Sequence, residues 1–448
     1  MPAESLTHGG PLSDENSEPR EGGVILVGLY VPDCIPSPEE RLEELGALVS
    51  AAGAEVVNQV WQPGHRPGVP RAAATWIGRG KVEEVAHLVE GHDASMVVFD
   101  AELSPAQIRN LEKELGTRVL DRSELILDIF AGRARTRASV LQVELAQLEY
   151  TAPRLRGMWT HLARQAGAGA GFVGSRGPGE KQIEIDRRIV NRRVARLKAE
   201  IVTIQERRAR TVQARNDFTV GLVGYTNAGK TTLLDALTGA GVGGEDALFA
   251  TLDTLTRRWG LGDGLEVVLS DTVGFVRDLP HHLVASFRAT LEEAVHADLR
   301  LHVIDASHPL VLDQMYAVRH VLADLGCDAN TTVSVINKVD MADPGVLAEL
   351  RVAAGNDAAG ELFPHGGIIE VSAITGQGLK ELASLVEVRA RRDWVRIDVV
   401  EGVANGRLRA FAHAKGAVRQ ERFDEENWIA EVELPSRLVG EFERLRLQ

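Results

Sequence analysis

The chain has 448 residues, which is room for about three domains, and its composition of 44% hydrophobic, 25% charged and 5% aromatic residues is that of a globular protein. This composition excludes global disorder, a collagen-like fibre and a disulfide scaffold. Fifty basic and 64 acidic residues give a formal net charge of −14, which as a total argues against a polyanionic partner.

Cysteine usage and hydropathy indicate the compartment. Cys34 and Cys327 are far apart and neither begins a CxxC motif, so the sequence predicts no structural zinc site or disulfide and favours a reducing cytoplasm. The first 23 residues lack the apolar segment of a signal peptide, and the longest early apolar run is far below the ~20 residues that span a bilayer. We expect a cytoplasmic protein with no membrane partner, associated with the membrane periphery at most.

Strands and helices alternate in the first third of the chain, after a tail (1–23) that is predicted to be disordered. Strands are predicted at 24–30, 54–61, 95–99 and 118–120. Helices are predicted from Pro38 to about Ala52, near 80–90, and from Ser104-Pro105 onward. This alternation is typical of βαβ units on a parallel sheet, so we predict an N-terminal α/β domain over 24–131.

Residues 132–215 predict a helical hairpin. The first helix is marked by Leu141, Leu145 and Leu148, and the longer second helix by Ile183, Val190, Val194, Leu197, Ile201 and Ile204. The glycine-rich stretch between them, 157–182, is expected to form a flexible tip. This segment holds 18 Arg and Lys against 7 Asp and Glu, a local charge of +11 that leaves −25 for the rest of the chain.

The concentrated positive charge favours contact with a phosphate backbone, although a solvated helical face is the alternative for any such run. The arginine excess and the glycine-rich tip favour the RNA contact. The candidate RNA-contacting residues are Arg176, Arg187, Arg188, Arg192 and Arg193.

A predicted strand, FTVGLVG (218–224), leads into GYTNAGKT (224–231) and a helix from Thr232 through Leu237, which is the phosphate-loop pattern GxxxxGK[ST] in its required context. Backbone N–H groups of such a loop point at phosphate oxygens. Lys230 would reach the β- and γ-phosphates, and the Thr231 hydroxyl would bind Mg²⁺. The candidate nucleotide-binding residues are Gly224, Tyr225, Thr226, Asn227, Ala228, Gly229, Lys230, Thr231 and Thr232.

Two later motifs select guanine over adenine. INKVD (336–340) follows a predicted strand, and the Asp340 carboxylate matches two donors of guanine that adenine lacks. VSAITGQGL (371–379) follows another predicted strand, and the Ala373 N–H would donate to guanine O6. The candidate base-binding residues are Asn337, Lys338, Val339, Asp340, Ser372, Ala373 and Ile374.

Two segments between the phosphate loop and INKVD are predicted to respond to the third phosphate of GTP. In DTVGF (271–275), Asp271 would hold Mg²⁺ through water and the Gly274 N–H would contact the γ-phosphate, with Thr272 and Val273 between them. In LFATLDTLTRR (248–258), Thr251 is the first candidate for a second Mg²⁺ ligand. Thr254 and Thr256 compete with it, since threonine is also common in strands. The candidate catalytic residues are Lys230, Thr251 and Gly274.

Two positions bear on the rate of hydrolysis. Ras-like GTPases carry a glutamine after DxxG that orients the attacking water, whereas this chain has Phe275. We therefore expect slow intrinsic hydrolysis of GTP and strong stimulation by a partner. Asn227 occupies a loop position at which some GTPases hold K⁺. A merely loop-stabilising asparagine is the alternative, and rates in KCl and NaCl would separate the two.

Taken together, GYTNAGKTTL, FATLDT, DTVGF, NKVD and SAITG resemble the Obg–HflX group of translation GTPases, and the segment GSRGPGEKQIEIDRR (174–188) resembles the HflX family within it. The departures are Thr231, where many relatives have serine, and Lys181, where threonine is common. The resemblance implies that Thr251 is the Mg²⁺ ligand and that the segment around it contacts nucleotide. That segment comprises Phe249, Ala250, Thr251, Leu252 and Asp253.

The same resemblance implies a factor that binds the large ribosomal subunit and its RNA and, with GTP, splits stalled or idle ribosomes under stress. The tip, 169–180, would lie near the peptidyl transferase centre. An RNA-binding or RNA-remodelling protein regulated by guanine nucleotide is the alternative function. A signalling GTPase with a protein or membrane partner is disfavoured by the basic hairpin and the absence of a lipidation motif.

The predicted fold is therefore a multidomain α/β protein. It comprises the N-terminal α/β domain (24–131), the basic hairpin (132–215), a P-loop GTPase domain with a doubly wound, mostly parallel sheet (216–392), and a small C-terminal α+β domain (393–448). This last part has strand patterns at WVRIDVV and WIAEVEL, a final helix and no chemical motif. We expect a monomer in the free state, which binds GTP or GDP with Mg²⁺.

Overall fold

A computed structural model describes residues 23–30, 36–64, 74–166, 188–204, 207, 217–241, 248–249, 254–262, 265–277, 295–355, 367–424 and 426–447. The chain forms two units. The first contains the described residues up to 207 together with Leu248 and Phe249. The second contains 217–241, 254–277 and the described residues from 295 onward. The predicted disordered tail, apart from Gly23, and residues 167–182 of the predicted hairpin tip lie outside the described residues. Residues 157–166, predicted to belong to the flexible tip, are instead helical and continue the helix Arg137–Ala166.

Four parallel strands form the sheet of the first unit, in the order β2-β1-β3-β4. The strands are β1 (Val24–Tyr30), β2 (Val56–Pro63), β3 (Met96–Phe99) and β4 (Arg118–Asp121). The helices are α1 (Pro38–Ala51), α2 (Arg79–His92), α3 (Pro105–Leu115) and α4 (Arg122–Arg133). The predicted α/β alternation is confirmed, whereas α4 was not predicted from the sequence.

The first turns of α1 and α3 explain why their starting points could be predicted. In each helix a serine side chain accepts from the backbone N–H three residues later, at Glu40 and Gln107 respectively. The side chains of Glu40 and Gln107 accept in return from the serine N–H groups. A proline follows each serine, and its fixed φ suits the first helical position.

Buried polar contacts join the strand ends of this unit to its later helices. Asp100, directly after β3, accepts from the Tyr30 hydroxyl at 2.7 Å and from the Arg122 guanidinium at 2.6 Å. Burial alone would raise the pKa of Asp100, but the positive charge of Arg122 and the Tyr30 hydrogen bond outweigh burial and hold it below its usual value. At the end of β4, Asp121 accepts from the Tyr150 hydroxyl at 2.5 Å, which ties the next helix to the sheet.

That next helix, α5 (Arg137–Ala166), and α6 (188–204) pack together through the positions predicted from the sequence. The buried residues of this seam are Leu141, Leu145 and Leu197, with Leu148, Val194, Ile201 and Ile204 half-buried beside them. Ile183, which belongs to the same predicted series, lies outside the described residues. The seam shows that the apolar repeat serves helix packing, while Ile189 and Val202 lie exposed outside it.

A six-stranded sheet forms the core of the second unit, in the order β10-β9-β8-β5-β7-β6, with only β6 antiparallel to its neighbour. The strands are β5 (Phe218–Gly224), β6 (Leu255–Gly262), β7 (Leu265–Asp271), β8 (Leu299–Asp305), β9 (Thr332–Asn337) and β10 (Ile368–Glu370). The described helices are α7 (Lys230–Thr238), α8 (Val311–Asp324), α9 (Pro344–Gly355) and α10 (Leu379–Ala390). The carboxyl ends of the parallel strands share one edge, where such folds bind ligands.

The C-terminal residues form a three-stranded antiparallel sheet, β11-β13-β12, with two helices. Its elements are β11 (Trp394–Gly402), α11 (Gly406–Lys415), β12 (Ala417–Phe423), β13 (Asn427–Pro435) and α12 (Ser436–Arg446). The two predicted strands and the final helix are confirmed, and α11 and β12 are additional. Within the described parts of both units, no helix has the length and apolar character that crossing a bilayer would require.

A buried histidine in the centre of the large sheet generates a stability prediction. His302 on β8 lies opposite Val223 and Ser334 of the neighbouring strands, and its pKa is lowered to about 3 by burial and by the charges of Arg319 and Lys230. The unfolded chain binds a proton at this residue below about pH 6.5, whereas the folded chain stays neutral until about pH 3. Folding stability is therefore lost as the pH falls through this window.

We expect His302 to account for a loss of about 2 kcal/mol of unfolding free energy between pH 7 and pH 5. His302→Gln should remove this part of the pH dependence, as measured by urea-dependent hydrogen exchange of β8. His320→Gln, at an exposed position on α8, is the matched control. An equally steep pH dependence in the His302 variant and the wild type would contradict the prediction.

Candidate nucleotide-binding site

The loop between β5 and α7 requires glycine at two positions because of close neighbours. A Cβ atom on Gly224 would overlap the carbonyl oxygen of Val303 on β8, and one on Gly229 would overlap the side-chain nitrogen of Asn337. Gly229 also has a φ of 87°, in the left-handed region that favours glycine. The two glycines of the motif therefore let the loop lie directly on the adjacent strand end and on the Asn337 side chain.

Lys230 is the first residue of α7, and its ammonium lies over the loop. Nζ donates to the carbonyl of Gly224 at 3.2 Å and to that of Tyr225 at 2.7 Å. Burial lowers the pKa of Lys230 to about 8, while the negative charge of Asp271 opposes the shift. The side chain remains mostly protonated at neutral pH and supplies one buried positive charge to the site.

Thr231 and Asp271 come together next to the loop, as the sequence predicts for an ion site. The Thr231 hydroxyl donates to Oδ2 of Asp271 at 2.6 Å. The next residue, Thr272, is fully buried and donates through its hydroxyl to the Leu222 carbonyl at 2.6 Å, which fixes the end of β7 against β5. A hydroxyl and a carboxylate are the hard oxygen ligands that Mg²⁺ prefers, so this donor set suits the ion.

Asn337, at the end of β9, connects three loops. Its Nδ2 donates to the Ala228 carbonyl in the phosphate loop at 3.0 Å, and its Oδ1 accepts from the Ala373 N–H at 3.1 Å. The Ala373 N–H, predicted to bind guanine O6, thus has an intramolecular partner in this structure. Lys338 follows with its ammonium donating to Asp305 at 2.7 Å. The phosphate loop and the two predicted base motifs therefore share one polar centre.

The other predicted base-binding residues surround this centre. Asp340 is exposed, Val339 is half-buried and Ile374 is 75% exposed. Ser372 is buried, and its hydroxyl accepts from the Thr375 N–H at 3.1 Å, which shapes the turn after β10. The exposed Asp340 carboxylate is therefore accessible to a ligand, whereas the Ser372 side chain is part of the supporting structure.

The segment after β7 pairs with the phosphate loop. The Phe275 N–H donates to the Gly224 carbonyl at 3.1 Å, and the Thr226 N–H donates to the Phe275 carbonyl at 2.7 Å. The Phe275 ring is buried, so the residue in the place of a water-orienting glutamine contributes an apolar side chain to the interior. Sequence reasoning missed a further bond, in which the Arg277 N–H donates to the Tyr225 hydroxyl oxygen at 2.6 Å.

Several predicted residues lie outside the described part of the chain or in a different setting. Ala250, Thr251, Leu252 and Asp253 are not among the described residues. Phe249, predicted to contact nucleotide, belongs to the first unit, where its buried ring lies edge-on to Phe130 of α4 with centroids 4.7 Å apart. Thr256 lies on β6 beside Ser270, with their hydroxyl oxygens 3.4 Å apart.

The described candidates for RNA contact differ from one another. Arg188 and Arg192 are exposed on α6. Arg193 instead makes a two-pronged hydrogen bond to Glu144 of α5, at 2.6 and 2.7 Å, and holds the two helices together. Arg176 and Arg187 are not among the described residues.

We expect Asn337→Ala to lower the unfolding free energy by about 2–3 kcal/mol, because the buried Ala228 carbonyl and the Ala373 N–H lose their partner. Urea unfolding of the full chain measures this loss. Asn330→Ala, at an exposed position, is the matched control and should cost little. An Asn337→Ala variant as stable as this control would contradict the connecting role.

Three family descriptions match successive parts of the chain. Residues 39–131 match "GTP-binding GTPase N-terminal", residues 133–215 match "GTP-binding GTPase Middle Region", and residues 219–338 match "50S ribosome-binding GTPase". The third match covers the phosphate loop and extends to Lys338.

Curated relatives are similar over almost the whole chain. GTPase HflX of Lacrimispora saccharolytica is 42% identical over 94% of this chain and 95% of its own, that of Magnetococcus marinus is 44% identical over 91% of both, and that of Escherichia coli is 42% identical over 92% and 93%. A crystal structure of a GTP-binding protein from Sulfolobus solfataricus in complex with GDP covers 82% of this chain and 98% of its own, at 24% identity and a TM-score of 0.42. The full-length similarity to the curated relatives shows that the chain belongs to the HflX family of GTPases, which bind and hydrolyse GTP.

Proposed function

We propose that this GTPase associates with the large ribosomal subunit in its GTP-bound state and splits stalled or idle ribosomes under stress. The observation that carries the proposal is the basic arm of α5 and α6, in a chain that is otherwise strongly acidic. The match to a family described as a 50S ribosome-binding GTPase supports the same partner. The cytoplasm is the compartment in which such a factor would act.

The arm combines contacts that hold its helices together with basic side chains that are exposed to a polyanion. The apolar seam and the Arg193–Glu144 pair hold α5 against α6. Arg188 and Arg192 are exposed in the first turns of the described part of α6, the end next to the predicted tip. Contacts from such arginines to RNA phosphates would supply affinity, while the acidic remainder of the chain would discourage nonspecific RNA binding.

In the nucleotide site, Lys230 would bind the β- and γ-phosphates, and Thr231 with Asp271 would hold Mg²⁺, which neutralises phosphate charge when bound. Thr251 is the proposed second protein ligand of the ion. Asn227, with a φ of 61° in the phosphate loop, is the proposed K⁺-holding residue, and a loop-stabilising role is its alternative. These assignments are supported by the placement of Lys230, Thr231 and Asp271 around one loop.

We propose that hydrolysis is slow in the free protein and is stimulated by the ribosome. The buried Phe275 side chain has no group that could orient water. The missing group would therefore come from the docked partner or from rearranged solvent. In this scheme GTP favours the conformation that binds the ribosome. Ribosome binding then completes the catalytic site, and GTP hydrolysis ends the bound state.

Gradient sedimentation tests the ribosomal proposal. With a non-hydrolysable GTP analogue, we expect the protein to comigrate with the large subunit, and with GDP to remain near the top. Binding to free RNA without dependence on nucleotide would favour the alternative of an RNA-binding or RNA-remodelling protein and would contradict the proposal.

The salt dependence of binding to the large subunit tests whether the basic arm contacts RNA. Arg188→Ala/Arg192→Ala should reduce the slope of log affinity against log salt by about 1.5 to 2, one phosphate contact for each arginine. Arg79→Ala/Lys113→Ala, at exposed positions on α2 and α3, is the matched control. Equal slopes in the two double variants would contradict RNA contact by α6, and GTP binding should be unchanged in both.

Asp340→Asn tests the choice of base. The substitution replaces one acceptor oxygen by a donor, so we expect weaker binding of GTP and tighter binding of xanthosine triphosphate, whose base has a carbonyl where guanine has an amino group. Competition between the two nucleotides measures this change. Asp343→Asn, on the loop leading into α9, is the control, and unchanged GTP preference in Asp340→Asn would refute the assigned role.

A further inference from the structure

Among the described residues, three hydrogen bonds join the segment after β7 to the phosphate loop. Tyr225 and Phe275 form an isolated parallel bridge, in which the Phe275 N–H donates to the Gly224 carbonyl and the Thr226 N–H to the Phe275 carbonyl. The third bond comes from a side chain, because the Tyr225 hydroxyl oxygen accepts from the Arg277 N–H at 2.6 Å. Tyr225 and Phe275 are both buried, so water competes little for these bonds.

This bridge brings Gly274 against Lys230. A Cβ atom on Gly274 would lie 3.0 Å from Nζ of Lys230 and 2.9 Å from Cα of Thr226. The same ammonium donates to the carbonyls of Gly224 and Tyr225. Because this ammonium contacts the β- and γ-phosphates in P-loop proteins, Gly274 lies beside the group that would bind a third phosphate.

We propose that Tyr225 is a positioning residue whose hydroxyl holds residues 274–277 closed on the phosphate loop, in an arrangement that accepts GDP and excludes the third phosphate of GTP. The proposal rests on the nucleotide site proposed above. GTP binds only after this segment opens, so its apparent affinity is reduced by the small fraction of open molecules. Tyr225 thereby sets how strongly the free protein discriminates between GDP and GTP.

Thr226 acts against the closed arrangement. Its hydroxyl is buried and has no hydrogen-bond partner among the residues that the structure describes. A buried hydroxyl that has lost water without gaining a partner is unfavourable, so closure needs a compensating contact. The Tyr225 bond to Arg277 provides one. Tyr225 and Thr226 therefore affect one equilibrium in opposite directions.

Two substitutions test this pair. Tyr225→Phe keeps the ring and removes the acceptor, and we expect the ratio of the dissociation constant of a non-hydrolysable GTP analogue to that of GDP to fall about fivefold. Thr226→Val removes the unpartnered hydroxyl at nearly constant shape and should raise the constant for the analogue. Tyr316→Phe, on the exposed side of α8, is the matched control and should change neither constant.

Hydrogen exchange of the peptide containing residues 274–277 separates the proposed closure from a general loss of structure. With GDP bound, these amides should be protected in the wild type, less protected in Tyr225→Phe and more protected in Thr226→Val. An unchanged ratio of GDP to analogue affinity in Tyr225→Phe, or unchanged exchange, would overturn the proposal. A wild-type protein that binds neither nucleotide would overturn the nucleotide site itself.

Discussion

The geometry of the nucleotide site depends on the side-chain amide of Asn337. Its nitrogen donates to the phosphate loop at Ala228, and its oxygen accepts the N–H of Ala373. Parallel strands determine only where each of these loops begins. The buried Asn337 amide, which uses one donor and one acceptor, also determines where the loops meet. Gly229 has no Cβ atom that would overlap this amide.

Much of this arrangement could be predicted from the sequence, because each motif directly follows an apolar strand and parallel strands end at one edge. The bond between the Tyr225 hydroxyl and the Arg277 N–H could not, since it joins residues 52 positions apart and depends on the path of a turn. Helix α4 was missed for a different reason. Its successive residues Leu125, Ile126 and Leu127 are all buried, so no one-sided apolar pattern marks it as a helix.

The charge of −14 is the sum of a segment of +11 and a remainder of −25, so a total conceals the feature that matters for a partner. The structure refines this count further. Arg193 and Lys198 are paired with Glu144 and Glu149 of α5, so part of the positive charge of α6 stabilises the arm itself. A partner would contact only the positive charge that is not used within the arm. A count of basic residues therefore overestimates the charge available for binding.

The lowered pKa of Lys230 links the nucleotide site to proton uptake. With a pKa of about 8 because of burial, the ammonium is partly deprotonated in mildly alkaline solution. A polyphosphate bound beside it would favour the charged form and raise that pKa, so binding would draw a fraction of a proton from the buffer. The heat of nucleotide binding would then vary with the ionisation enthalpy of the buffer, and the loaded site would keep its charge at a pH where the free site begins to lose it.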